Sequence, residues 1–559
     1  MNIKKLPVLL IASLCAAHPA CADDALTLSL IELLVQEGVI DQKKAGKLMA
    51  IAEQRAAEKS RSEPEARKPA EVTATQGQEA PEPGDVRVTY VPDFVKEEIR
   101  RDVRRELRDE VVKEVKSHAR SEQWGVPAAL PDWVNRFRLS GDLRLRYEND
   151  LFASENPRFG YPDWPAINKA GGWSRLVDPY RNTSHDRDRY RMRLRLALDA
   201  QIAEYLRAGV RLTTSNDRSP IANNQTLGQY GKQYEVALDR AFLQYDYVDG
   251  KGRELANLWG GRFANPWLSS DNVYDVDLSF EGVAAAFHLP LGSTPAYRLP
   301  NPQGRQTINL GVSKPNQLFL TVGAFPLQDV ELSAHDKWFW GAQTGLDWVF
   351  RDNVRLRAGL AYYDYRNIKA RPNALGERTN DWSAPTFFAK GNSLARISNE
   401  QDPDLEPRLV GLASDFNVAD AIVTLDWQAW GENHVMLTGN YARNLGFDRQ
   451  EILRRTGLDI VPRTDAYQVR IDVGRPEINQ RADWNLWWAY KYLERDSVLD
   501  AFTDSNFHLG GTDAKGWSLG FNYGLAQNTW FNARWMSASA INGPPLDIDV
   551  LLVDVNSRF

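Results

Sequence analysis

The sequence predicts an all-β transmembrane barrel, antiparallel, of about 16 strands (16–18), preceded by a short periplasmic α-helical arm. Three observations carry this expectation. A two-residue apolar/polar period recurs along residues 134–559, an export signal opens the chain, and no later run approaches the roughly 20 apolar residues of a membrane helix.

The chain has 559 residues, a formal net charge of −6 and a mean hydropathy of −0.48, with 18 Trp and 20 Tyr. No basic domain stands out, so nucleic-acid binding is not expected. Lys4 and Lys5 precede an apolar stretch from Leu6 to Ala17, and Ala20-Cys21-Ala22 fits a signal-peptide cleavage site. This assigns residues 1–22 to a signal. A lipoprotein reading is weaker, because His18-Pro19-Ala20 lacks the small and aliphatic residues a lipobox wants. Both cysteines, Cys15 and Cys21, fall inside the signal, which excludes disulfides and Cys-based metal sites from the exported chain.

Residues 23–59 read as a helical hairpin, with Leu30, Ile31, Leu33, Leu34 and Val35 leading to Gly38 and with Asp41 opening a second helix. Residues 60–92 form a Pro-rich linker, marked by Pro64, Pro69, Pro81 and Pro83. In 93–130, Val95, Ile99, Val103, Leu107, Val111 and Val115 recur every four residues on an amphipathic helix. Two readings stay open for it: a solvated helix against the barrel base, and a coiled-coil-like helix that joins subunits.

The barrel expectation begins at Arg136–Glu148. Phe137, Leu139, Gly141, Leu143, Leu145 and Tyr147 alternate with Arg136, Arg138, Ser140, Asp142, Arg144, Arg146 and Glu148, so a strand here is greasy on one face and charged on the other. Tyr190-Met192-Leu194-Leu196-Leu198, Val354-Leu356-Ala358-Leu360-Tyr362 and Trp517-Leu519-Phe521-Tyr523-Leu525 repeat the pattern. Aromatic residues near segment ends suit an interfacial girdle.

Loop lengths supply the parity. With the first strand rising from the periplasm, 149–186, 216–234, 264–277, 326–336, 366–413, 445–463, 493–513 and 540–545 fall outside. The short connections 201–204, 249–254, 351–353, 431–433, 476–480 and 527–528 fall on the periplasmic side, as bacterial barrels require. Segment 290–315 is unexpectedly long for that side and could hide a hairpin. The alternation holds only if 408–430 contributes one strand, from about Ser414 to Gln428, with a bulge or bend at Asn417 or Asp420. In the last strand Leu551, Val553, Val555 and Phe559 share one face, which resembles the signal read by the barrel-assembly machinery; Ser557 departs from the larger residue often found there.

Several stretches resemble the putative porin family of Gram-negative outer-membrane proteins. They include Gly261-Arg262-Phe263-Ala264-Asn265-Pro266-Trp267, Leu320-Thr321-Val322-Gly323-Ala324-Phe325-Pro326 and Asn440-Tyr441-Ala442-Arg443-Asn444. Ala501–Phe507, Gly510–Gly516 and Gly543–Asp549 extend the likeness from the arm to Phe559. The resemblance implies an outer-membrane barrel in contact with lipid, and general porins further imply a homotrimer and a third loop folded into the lumen. On that likeness Asp271, Asp275, Asp277 and Glu281 are candidates for a constriction.

Within a barrel whose Leu and Tyr face lipid, Arg138, Arg144, Arg146, Arg189, Arg191, Arg193, Arg195, Arg207 and Arg211 line the lumen. Turning them outward would cost about 2–4 kcal/mol each at the bilayer midplane. Walls of Arg favour anions; the blander reading is that Arg and Asp pair between strands and only stiffen the barrel. No HExxH, G-x-S-x-G or P-loop is present, and His118, His185, His288, His335, His434 and His508 are scattered, so neither enzyme chemistry nor a cofactor is expected. Asp504 and Asp513 could ligate Ca²⁺, although loop carboxylates more often turn the chain. The expected function is passive diffusion of small hydrophilic solutes with an anion bias. The alternative is an adhesin or cell-wall tether with a barrel anchor.

Overall fold

The computed structural model describes residues 136–215, 219–292, 308–310, 316–331, 333–350, 353–400 and 409–559. The expected signal, helical hairpin, linker and amphipathic helix lie outside the described residues. Sixteen antiparallel strands form a closed sheet. They are β1 (Phe137–Phe152), β2 (Arg187–Ala203), β3 (Leu206–Thr214), β4 (Val236–Val248), β5 (Glu254–Ala264) and β6 (Ser279–Pro290). Then come β7 (Gln317–Gln328), β8 (Lys337–Phe350), β9 (Val354–Arg366), β10 (Asn417–Trp430) and β11 (Asn433–Asn444). The series ends with β12 (Asp465–Gly474), β13 (Trp484–Leu493), β14 (Ala514–Ala526), β15 (Thr529–Ala540) and β16 (Asp547–Arg558).

Each strand pairs with the next, and β1 pairs with β16 from Asp142↔Arg558 to Phe152↔Ile548, which closes the ring. At the seam the Gly141 N–H donates to the Phe559 carbonyl (2.9 Å) and the Phe559 N–H returns to Gly141 (3.1 Å). The Phe559 ring occupies the space a side chain at Gly141 would need: a Cβ there would lie 2.6 Å from it. An aromatic ring over a strand glycine covers backbone that glycine leaves bare.

The strand faces follow the two-residue period. Leu139, Leu143 and Leu145 on β1, Tyr190, Leu196 and Leu198 on β2, and Leu519, Phe521 and Tyr523 on β14 are exposed on the outer surface. The intervening Arg146, Glu148 and Arg193 are buried on the inner side. Among the described residues no helix is long and apolar enough to cross a membrane; the crossing is made by strands.

Connections 204–205, 431–432 and 527–528 are tight turns, and the long ones other than 291–316 lie at the opposite rim, which is the outer rim by the usual asymmetry of bacterial barrels. The single strand expected from Ser414 to Gln428 runs instead from Asn417 to Trp430, and its irregularity falls between Gln428 and Trp430. Val410–Leu412 belongs to the loop before it, where it pairs with Leu394–Arg396. The described part of 290–315 adds no barrel strand; Ile308–Leu310 pairs elsewhere, with Leu268–Ser270.

Two short helices sit in outer loops: α1 (Trp164–Ala170) and α2 (Arg449–Thr456). Asp448 accepts from the Gln450 and Glu451 N–H groups to start α2, and Gly457 at φ 74° ends it. Arg455 of α2 donates to the carbonyls of Ala370 and Ala413, tying this loop to its neighbour.

The apolar core lies inside the barrel. Phe263, Phe280, Phe325, Phe339, Tyr363 and Tyr365 point inward from β5 to β9, and Phe263↔Phe280 and Phe339↔Tyr365 are register partners. Trp267 and Tyr274, from the loop between β5 and β6, pack edge-on against this wall, Trp267 at 5.5 Å from Tyr363 and Tyr274 at 5.1 Å from Phe280. Trp267 fits because position 341 is glycine: a Cβ there would sit 2.8 Å from the indole. The girdle reading therefore fails for these six aromatics, whose odd spacing from outward neighbours turns them into the lumen.

Trp267→Ala is expected to cost roughly 3–5 kcal/mol of barrel stability by emptying a fully buried site. Gly341→Val is expected to cost about 1–3 kcal/mol by overpacking the same contact. Both read out as a lower temperature for the heat-induced mobility shift of the folded band in SDS gels, and an unchanged shift for both would contradict this packing.

Candidate functional site: the lumen wall and its inward loops

The inner face of β1–β3 carries guanidiniums in adjacent register. Arg144 lies opposite Arg193 and Arg146 opposite Arg191, an arrangement that repels unless acids are interleaved. They are. Asp142 accepts from Arg193 (2.9 Å) and Arg195 (2.6 Å). Glu148 takes both Arg189 and Arg191, and Asp150 also takes Arg189 (2.8 Å). Across the seam Arg146 forks onto Asp554 of β16 (2.7 and 2.9 Å), with Arg144 at 3.7 Å from the same carboxylate. Arg211 pairs with Asp239, and Arg207 donates to Gln244 (2.5 Å). Arg138 and Arg207 stay exposed near the periplasmic mouth.

The third outer loop, 265–278, folds into the barrel and crosses it. At one end the Gln343 side-chain amide of β8 pairs with the Leu268 backbone like a strand edge, accepting its N–H (2.9 Å) and donating to its carbonyl (2.8 Å). Ser270 then donates to Asn440 of β11 (2.7 Å), and Asp271 meets Lys491 of β13 (2.8 Å). At the other end Asp277 reaches Arg193 (3.0 Å) and Arg195 (3.3 Å) of the basic wall.

The seventh outer loop, 494–513, joins it. The Asp275 N–H donates to the Phe502 carbonyl (2.6 Å), the Asp504 N–H to the Asp271 carbonyl (3.0 Å), and the Ser505 N–H to the Asp275 carboxylate (2.9 Å). Asp504 also holds Lys491 (3.1 Å). These contacts place Asp271, Asp275 and Asp277 together in the lumen. Glu281 is a correction. It belongs to β6, shares the outward face of the exposed Val283, Phe287 and Leu289, and pairs with Arg262 on that face. The two-residue period from Ala284 and Ala286, both buried, already turns position 281 away from the lumen.

Burial raises the cost of ionising Asp277, but Arg193, Arg195, Arg144 and Arg211 outweigh it and hold the carboxyl below the usual range. Burial pushes Asp271 up to about 6 against the pull of Lys491. A depressed carboxyl contributes stability that is complete above its unfolded value and is lost only as pH falls through the folded one. The contact of the loop with the Arg wall therefore outlasts, on acidification, the charge on Asp271.

Sequence reasoning missed Gln343, Asn440, Lys491 and the seventh loop as the parts that seat the third loop. For the three strand residues the only sequence signal is a polar side chain on the inward parity. Among the described residues no group of His, Cys, Asp and Glu could hold a metal ion. Asp513 instead pairs with Arg495 (3.0 Å).

Residues 24–559 match the family described as "Putative porin". No curated protein matches the chain in sequence. Among solved structures, OprB of Pseudomonas putida at high pH is 14% identical, covering 77% of this chain and 96% of that one at a TM-score of 0.40. The outer membrane channel DcaP of Acinetobacter baumannii is 9% identical, covering 76% and 97% at 0.37. Salmonella typhi OmpF in complex with daunomycin is 10% identical, covering 76% and 97% at 0.37.

Asp277→Asn removes a charge shared by two guanidiniums, so the reversal potential in a KCl gradient should shift toward anions. Glu281→Gln, on the outer face, should leave it at the wild-type value. Equal effects from the two substitutions would contradict the placement of these carboxylates.

Proposed function

The chain belongs to the family of putative porins, and from that premise we propose that this outer-membrane channel passes small hydrophilic solutes by diffusion with a bias toward anions. The barrel wall is polar within and apolar without, and nothing in the proposed step requires a reaction: a solute exchanges water for wall contacts and leaves at the other mouth. A porin so built is a channel rather than an enzyme.

The observation that supports the bias is the sharing of carboxylates along the Arg wall. Asp142 and Asp277 each serve both Arg193 and Arg195, Glu148 serves Arg189 and Arg191, and Asp554 serves Arg144 and Arg146. These pairs also support the blander reading of the Arg ladder, in which Arg and Asp join neighbouring strands and stiffen the wall. Counting Asp150, which also serves Arg189, five carboxylates nevertheless meet the six guanidiniums Arg144, Arg146, Arg189, Arg191, Arg193 and Arg195, and a surplus of guanidinium favours carboxylate and phosphate groups.

Asp271, Asp275 and Asp277 on one side and the Arg wall on the other would set a field across the constriction. Trimeric assembly and recognition of the Leu551, Val553, Val555 and Phe559 face by the barrel-assembly machinery complete the reading. The first rests on the likeness to general porins and the second on the outward placement of these side chains at the seam strand. The adhesin or tether reading draws on residues 23–130 and on long outer loops, two of which turn inward.

Purified protein in planar bilayers tests the proposal. Wild type should conduct and show a reversal potential on the anion side, and Arg193→Ala with Arg195→Ala should move it toward cations. Absence of current would overturn the channel reading, and an unchanged ratio in the double variant would overturn the bias.

A further inference from the structure

The connection between β6 and β7, residues 291–316, is the longest on the periplasmic rim. Its ends are fixed at that rim, where the Leu291 N–H donates to the Asn316 carbonyl (2.8 Å) and the Asn316 side-chain oxygen accepts from the Val349 N–H (3.0 Å). Of the residues between those ends, 308–310 lie inside the barrel. Ile308–Leu310 pairs antiparallel with Leu268–Ser270 of the third outer loop, in the register Leu268↔Leu310, Ser269↔Asn309 and Ser270↔Ile308. The Asn309 side chain donates to the carbonyls of both Asn265 and Trp267, each at 2.8 Å.

The loop segment 268–270 is thus held on two sides at once. From the wall, Gln343 of β8 takes the backbone of Leu268. From the periplasmic side, a strand edge and one bifurcated amide take the backbone between Asn265 and Ser270. Gln343 sits mid-strand, opposite Thr321 of β7 and Ala361 of β9, so the ribbon lies near the middle of the barrel. Buried backbone groups must find partners. A loop segment pulled off a barrel wall would have water on its free edge, and here that edge is filled by Ile308–Leu310.

We propose that Asn309 is a positioning residue for the constriction: the periplasmic connection, through its strand and this amide, sets how far the third loop stands into the pore. The proposal rests on the channel reading. It makes pore width a property shared by both rims, so that a change on the periplasmic side alters permeation without touching the Arg wall. The Ser269/Asn309 pair offers a direct handle, because antiparallel partners lie about 4.5–5.5 Å apart at Cα, within the span a disulfide bridges. The only cysteines of the chain are Cys15 and Cys21, inside the expected signal.

The experiment uses single-channel recording on the full-length exported protein. Asn309→Ala is expected to raise conductance and open-channel noise while the heat-induced mobility shift stays at the wild-type temperature, a separation that a merely stabilising role would not give. Ser269→Cys with Asn309→Cys is expected to cross-link under oxidation and to record as a quiet pore of wild-type conductance or less. Adding dithiothreitol to the same channels should raise both conductance and noise. Absence of the cross-link, or a reduced double variant indistinguishable from the oxidised one, overturns the proposal even if Asn309→Ala fails to fold. A wild-type barrel without current would overturn the channel reading instead, and that result precedes any variant.

Discussion

Everything in this molecule depends on one constraint: in hydrocarbon, backbone N–H and C=O groups have no water to turn to, so the sheet must have no free edge. The β1·β16 seam meets it. Its register fixes the relative height of all sixteen strands, and with it which side chains face each other across the lumen. The Arg146–Asp554 fork crosses the seam itself, and the meeting of Asp277 with Arg193 and Arg195 spans the closed lumen.

Two stretches of the lumen wall are unlike. Over β5–β9 the wall is aromatic, and the third outer loop packs on it through Trp267 and Tyr274 as a core would. Over β1–β3 and β16 the wall is a lattice of guanidinium and carboxylate. The loop bridges them, apolar at its start and acidic at its end. Its side chains change chemistry along its length because the surfaces it meets do.

Much of the architecture was legible in the sequence because the evidence for it is local. A dyad needs only alternate residues, and loop parity needs only lengths; the expected connection 527–528 coincides with the turn found. The orientation of the Arg ladder followed from the cost of a guanidinium in lipid. What stayed hidden depends on distant contacts. Arg146 and Asp554 are 408 positions apart, and no spacing rule joins them. The inward aromatics were legible in principle, since Tyr363 and Tyr365 have the opposite parity to the outward Leu360 and Tyr362, but a ring near a strand end reads as a girdle until its face is counted. Glu281 was misplaced for the same reason: it was grouped by sequence with the loop acids rather than by parity with its strand.

The Arg ladder has a use that does not depend on any solute. Sliding β1 or β2 by a single residue would turn its guanidiniums toward acyl chains and its leucines toward water, at a penalty of about 2–4 kcal/mol for each Arg near the midplane. Arg144, Arg146, Arg191, Arg193 and Arg195 lie on these two paired strands, so a misthreaded barrel would be penalised many times over at one hairpin. The charges that line the channel thereby proofread its insertion, and the first hairpin carries the key against which every later strand is indexed.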